Sequence, residues 1–255
     1  MPKTNILSSR EGAQSLQSSA GLHSPGWLAD WPWIGLSLFI LGSVLFGALA
    51  YNVQVQGPLL QWDVPVYKSL YARAANASEA LNENLLFGYF LGKQAIQVGV
   101  VILGLYLLHK RLWRELTMLL VGSLGGSLIW HFFNAYFNRP RPAAQLGISL
   151  TNPSFPSGHV SSSVLFYGLL AYLLIPQMPG FFWKWLTGIG ALLVVIFVAF
   201  SRVFQGGHYL TDAIGGFAWG LAWAGLAFTV VERIFMHLRI ENVKKGKDFT
   251  RQVDR

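Results

Sequence analysis

Two histidines stand in short polar runs that interrupt an otherwise apolar chain. His159 closes the run Pro156-Ser157-Gly158-His159, and His208 lies between Ser201-Arg202 and Asp212. A cationic stretch stiffened by proline, Arg139-Pro140-Arg141-Pro142, precedes both. Two imidazoles, several guanidiniums and one carboxylate are the parts that phosphate-ester cleavage without a metal ion requires. One imidazole can attack, the carboxylate can orient it, the second imidazole can protonate the leaving oxygen, and the arginines can hold the anion.

Each run has its own local logic. Pro156 suits the residue before a helix, and Ser157 is a good N-cap. Gly158 admits a ligand close to the backbone, and the free N–H groups of a helix starting there would bind an anion. His159 then falls in the first turn. Read alone, this run is equally a helix cap with an incidental interfacial histidine. His208 and Asp212 are four residues apart, hence neighbours on one helical face. The carboxylate can take the hydrogen bond of one ring nitrogen and leave the other as an unprotonated nucleophile. Gly206 and Gly207 let the loop turn, and Arg202 can present a planar, bidentate donor to a phosphoryl group. A helix-capping Asp212 and a snorkelling Arg202 would explain each residue singly, but not the set.

The elements that must hold these groups are read from composition. Of 255 residues, 53% are hydrophobic and only 12% charged, against roughly 25% charged in soluble domains, which points to an integral membrane protein. Apolar segments near 33–51, 86–108, 115–133, 159–175, 184–200 and 211–236 each approach the length that crosses about 30 Å of hydrocarbon. A signal peptide ending near Ala50 would be far longer than usual. The stretch 52–85 is too polar to span; Pro58 to Trp62 and Val64 to Tyr71 read as short amphipathic helices at the outer interface. The expected fold is all-α: an integral membrane bundle of six transmembrane helices with short interfacial helices in the first outer loop. It occupies 28–238, after a flexible cytoplasmic leader over 1–27 and before a basic cytoplasmic tail over 239–255.

The net charge of +8 is not gathered into a nucleic-acid patch. Basic residues cluster at His109 to Arg114, at Lys184, and from Arg233 through Arg239, Lys244, Lys245 and Lys247, where anionic lipid headgroups are the natural partner. The positive-inside rule places these clusters and both termini in the cytoplasm, and every polar run then falls on the opposite, extracytoplasmic face. Arg139 and Arg141 stand on that face, where arginine is ordinarily scarce, which favours a bound anion. With no cysteine there is neither a disulfide framework nor a thiolate metal site.

In these residues the chain resembles the phosphatidic acid phosphatase type 2 superfamily, whose signature is Lys-x6-Arg-Pro, Pro-Ser-Gly-His and Ser-Arg-x5-His-x3-Asp. The second and third parts match at Pro156 to His159 and Ser201 to Asp212, and the first at Arg141-Pro142. The resemblance implies that His208 attacks phosphorus to form a phosphohistidine and that Asp212 orients it. It implies that His159 protonates the leaving oxygen and later activates water. Arg141, Arg202, Ser157 and the backbone N–H of Gly158 would hold the phosphoryl oxygens, with no metal and no cofactor. The substrate implied is a membrane lipid phosphate such as phosphatidate, phosphatidylglycerophosphate or a polyprenyl diphosphate.

One position departs from the signature. The family's lysine falls at Asn134, which brings a hydrogen bond but no charge. Arg139 could supply part of the lost charge, as could Lys93, a cation placed unusually within the second span. Asn134→Lys is expected to leave activity intact or raise it. Other readings are phosphotransfer to a second lipid, a vanadium haloperoxidase (argued against by the six spans), and a transporter or non-catalytic relative. The last is opposed by the presence of His159, His208 and Asp212 together.

Overall fold

Pro32, at the first turn of a helix where its missing N–H costs nothing, opens the first long apolar helix of the computed structural model, which describes residues 26–142 and 152–253. After a single turn at Trp27–Asp30 (α1), the chain runs through Pro32–Val55 (α2), ending where Gln56 takes a left-handed conformation (φ 53°). The first loop follows: a 3₁₀ turn at Pro58–Trp62, then Asp63–Ala75 (α3). Glu79–Gly92 (α4) and Gln94–His109 (α5) are separated only by Lys93, whose backbone (φ −135°, ψ −75°) breaks the helix. Trp113–Leu120 (α6), a π-helical bulge at Val121–Gly125 and Gly126–Phe137 (α7) form the third span. Gly158–Leu174 (α8), Gly180–Phe204 (α9) and Leu210–Val253 (α10) complete the chain. There is no strand among the described residues.

Six helical stretches are long and apolar enough to cross a membrane: Pro32–Val55, Leu85–His109, Trp113–Phe137, Gly158–Gln177, Gly180–Phe204 and Leu210–Lys244. The expected all-α bundle of six spans is therefore observed, with the polar 52–85 stretch folded as short helices outside it. The expected leader lies outside the described residues up to position 25. The stretch expected as a basic tail continues α10 as helix to Val253.

Packing follows from residue size. α10 is the most buried span and lies along α2, α8 and the bulged third span. Its contact with α2 is close because both sides are small: a Cβ on Gly42 would lie 2.7 Å from the Ala218 carbonyl and the Ala222 amide. The bulge in the third span frees a carbonyl, and the indole N–H of Trp223 donates to Val121 O at 3.1 Å. The lipid-facing surface is correspondingly apolar; Leu41, Leu128 and Phe181 are among its exposed residues. At the end carrying Arg111 and Arg114, fully buried Glu232 of α10 is clasped by Tyr172 Oη–H, by Gly26 N–H at 3.1 Å and by the Arg114 guanidinium at 3.5 Å.

The close α2–α10 crossing has a direct test. Gly42→Val forces two backbones apart and is expected to cost about 2 kcal/mol, lowering the melting temperature in detergent. Gly47→Val, where an added Cβ meets nothing within 4 Å, is the control and should melt like the parent.

Candidate active site

The polar runs meet at the end of the bundle opposite the Glu232 clasp. Asn138 in a left-handed conformation (φ 41°) terminates α7 and releases Arg139 to Pro142 as an extended run. The returning segment Asn152 to Ser157 is held against it. Ser154 N–H donates to Arg139 O at 2.8 Å, and Arg141 donates to the Asn152 carbonyl at 2.7 Å and to the Pro153 carbonyl at 3.2 Å. Ser157 N–H then reaches the backbone carbonyl of Asp212 at 3.0 Å, joining the start of α8 to that of α10. Gly216 is what permits this approach, since a Cβ there would collide with the Ser157 backbone.

Asp212 is completely buried at the centre of the cluster. One carboxylate oxygen accepts from Arg139 at 2.6 Å; the other accepts from Tyr209 N–H at 2.9 Å. With both oxygens occupied, Asp212 stands 3.7 Å from His208 Nδ1, beyond hydrogen-bond distance. The ring instead meets the Ser154 carbonyl at 2.9 Å through Nδ1. A carbonyl only accepts, so Nδ1 carries the proton and Nε2 is bare. The sequence spacing offers Asp212 as the acceptor for this ring; in the structure the Ser154 carbonyl takes the Nδ1 hydrogen bond and Asp212 stands behind it. Burial pushes the His208 imidazole down to about 4, more than the nearby carboxylate offsets, so the ring is neutral at pH 7. An Arg141 N–H lies 3.1 Å from the bare Nε2. Burial also draws Arg141 down to about 10, which leaves it fully charged at neutral pH.

His159 faces the same space, its ring centroid 6.2 Å from that of His208. Three buried polar atoms in these motifs have no partner: Ser157 Oγ, His159 Nε2 and Arg202 Nε. Arg202 is 1% exposed, braced by Gln205 at 2.8 Å and by the face of Tyr89 at 5.0 Å. Buried polar groups are almost always satisfied in folded proteins. These unpartnered polar atoms, in the motifs around the bare Nε2 of His208, leave hydrogen-bonding capacity that the protein itself does not satisfy.

Two residues expected at the phosphate face elsewhere. Arg139 is turned inward, bonded to Thr211 Oγ1 at 2.8 Å, Asp212 at 2.6 Å and Asp63 at 2.7 Å, with Tyr209 stacked at 4.5 Å. Burial works against its charge, but Asp212 and Asp63 more than compensate and hold it above its usual range. Asn134 is buried, and its two amide hydrogens go to the carbonyls of Pro153 at 2.9 Å and Phe155 at 3.2 Å. It secures the segment leading into Ser157. Asn134→Lys would bring an ammonium charge into this buried position, so the substitution probes the anchoring of that segment as well as the phosphate site.

Sequence reasoning missed Asp63, Ser154 and Tyr89. Asp63 is 1% exposed and accepts from Thr211 N–H at 2.9 Å and from the Arg139 guanidinium, tying α3 to the start of α10. Its only sequence signal was an acid between two amphipathic stretches. Ser154 acts through its backbone, and Tyr89 resembles any aromatic residue of a span.

Two outcomes follow. Asp63→Leu leaves the buried Arg139 charge with one carboxylate instead of two and is expected to destabilise by about 3 kcal/mol, read as a lowered melting temperature. Because the folded-state pKa of His208 lies near 4 and its ordinary value near 6.5, the unfolded chain binds the extra proton between these values. Stability attributable to this ring is present above about pH 6.5 and is lost as the pH falls toward 4, by roughly 3 kcal/mol. Melting curves across pH 4–7 should show a shallower decline for His208→Asn than for the parent.

A model of the PAP2 superfamily matches residues 112–236. Over 145 residues the chain is 32% identical to phosphatidylglycerophosphatase B of Bacillus subtilis, covering 55% of this chain and 70% of that protein. It is 25% identical over 221 residues to an undecaprenyl-diphosphatase of Sulfolobus acidocaldarius, covering 84% and 97% respectively. Among solved structures, the transmembrane PAP2-type phosphatidylglycerolphosphate phosphatase of B. subtilis superposes with a TM-score of 0.63 at 28% identity, over 76% of this chain and 93% of that one. The motif geometry, the six spans and these relationships agree: the chain belongs to the PAP2 superfamily and is a multi-pass membrane phosphatase.

Proposed function

We propose that the protein removes the terminal phosphate of a membrane lipid through a phosphohistidine, at the extracytoplasmic boundary of the bilayer. The observation that carries this reading is the set of unpaired buried donors, Ser157 Oγ, His159 Nε2 and Arg202 Nε, in the motifs that surround the bare Nε2 of His208. The terminal phosphoryl oxygens would bond these groups and draw Arg141 off the nucleophile. His208 Nε2 then attacks phosphorus as the bond to the leaving oxygen breaks, and His159 delivers a proton to that oxygen. Asp212 stabilises the positive charge that develops on the imidazole. Water, losing its proton to His159, next attacks the phosphohistidine and releases inorganic phosphate with His208 restored. Arg141 and Arg202 supply the positive charge that the trigonal-bipyramidal transition state needs.

The relatives act on lipids that bear a terminal phosphate, and a site at the bundle's edge suits a substrate arriving sideways from the headgroup layer. Lys110, Arg111, Arg114, Lys184, Arg233 and Arg239 lie toward the other end of the spans, and the positive-inside rule assigns that end and both termini to the cytoplasm.

The test is phosphate release by purified protein, in EDTA, from phosphatidate, phosphatidylglycerophosphate and farnesyl diphosphate. His208→Ala is expected to lower kcat by about a thousand-fold or more, and Asp212→Asn by about a hundred-fold. Acid-quenched enzyme should carry labelled phosphate that His208→Ala lacks. Release that survives His208→Ala would assign the chemistry to another group.

A further inference from the structure

Among the described residues, Lys93 is a cation near the site that the mechanism above leaves unused and that, unlike Arg139, has no carboxylate partner. It occupies the break between α4 and α5, exposed. Its ammonium donates to Tyr89 Oη at 3.2 Å and lies 5.6 Å from that ring's centroid. Tyr89 in turn packs on His159, with centroids 4.8 Å apart, and under Arg202. The residue before Lys93 abuts the same imidazole: a Cβ on Gly92 would lie 3.2 Å from His159 Cβ and 3.4 Å from its Cδ2. Lys93, Arg202, His208 and Arg141 all lie within electrostatic reach of His159, and Tyr89 packs directly on it.

These contacts give the cluster two flanks. On one, His208, Arg141 and Ser154 surround the nucleophilic nitrogen. On the other, Tyr89 and Lys93 stand against His159, the group that faces the leaving oxygen. A helix break that sets a lysine with no carboxylate partner within a membrane span marks a site where an anion would be welcome. The position is wrong for the phosphoryl group under attack, which Arg141 and the buried Arg202 already serve. It is right for a charge on the departing part of the substrate.

We propose that Lys93, supported by Tyr89, forms a second anion subsite that binds a phosphate remaining on the leaving group. The inference rests on the lipid phosphatase reading and sharpens its substrate class. A polyprenyl diphosphate departs as a monophosphate, and phosphatidylglycerophosphate departs as a phosphodiester; both carry the required charge. Phosphatidate departs as an uncharged diacylglycerol and has nothing for Lys93 to hold. The lysine would act both on binding and on the negative charge that gathers on a departing phosphate as its bond to phosphorus breaks.

The experiment compares kcat/KM of the detergent-purified parent, Lys93→Gln and Lys93→Arg on farnesyl diphosphate, phosphatidylglycerophosphate and phosphatidate. Lys93→Gln is expected to lose about ten-fold more on a substrate with a charged leaving group than on phosphatidate, and Lys93→Arg to recover most of that difference. Selective loss on the diphosphate alone places the subsite one oxygen from the reacting phosphorus; loss on phosphatidylglycerophosphate alone places it a glycerol away. Equal losses on all three would put Lys93 in the common phosphoryl clamp and overturn the proposal, as would no loss on any. If the parent shows no His208-dependent release from any of the lipids, the underlying phosphatase reading fails instead, a distinct result.

Discussion

A buried carboxylate–guanidinium–carboxylate chain, Asp63–Arg139–Asp212, is the constraint on which the rest of the site depends. Asp63 comes from the first loop, Arg139 from the end of the third span and Asp212 from the start of the sixth, so three distant segments are fixed by one arginine. Burying such charges is expensive, and the arrangement persists because almost every oxygen and hydrogen has a partner. Thr211 closes it by donating its N–H to Asp63 and accepting from Arg139. Once Asp212 is immobilised, its backbone carbonyl positions Ser157 and its side chain backs His208. Both catalytic motifs are therefore referenced to one residue.

The cluster also sorts the arginines by task. Arg139 faces two acids, so its charge is spent inside the protein. Arg141 and Arg202 have no carboxylate within ion-pair distance among the described residues, and both keep their charge for the pocket side. Two arginines two residues apart thus serve opposite purposes, and the alternation of proline with arginine is what turns successive side chains in different directions.

The six-helix layout was legible because length and apolarity alone identify spans, and the reacting groups were legible because side-chain chemistry at fixed spacing is visible in a string of letters. What escaped notice depended on tertiary placement. Asn134 looked like a weakened phosphate ligand until its amide was seen to bond two carbonyls of the facing loop. Arg139 and Arg141 are indistinguishable by type. The Ser154 carbonyl that fixes the His208 tautomer belongs to the backbone, which every residue possesses, so no residue type could have announced it. Asp63 lies 148 positions from the Thr211 it binds, and that separation hides the pairing from any local pattern.

Asp63, Tyr89 and Lys93 share one property: all precede residue 112, where the match to the superfamily begins. The motif histidines His159 and His208, with Arg141 and Arg202, all lie after it, so the matched motifs sit in the second half and their buried supports come in part from the first. The two halves are not independent: Asp63 holds Arg139 and Thr211, and Tyr89 and Gly92 lie against His159, so a change in the first two spans or their loop is transmitted to the motifs of the second half.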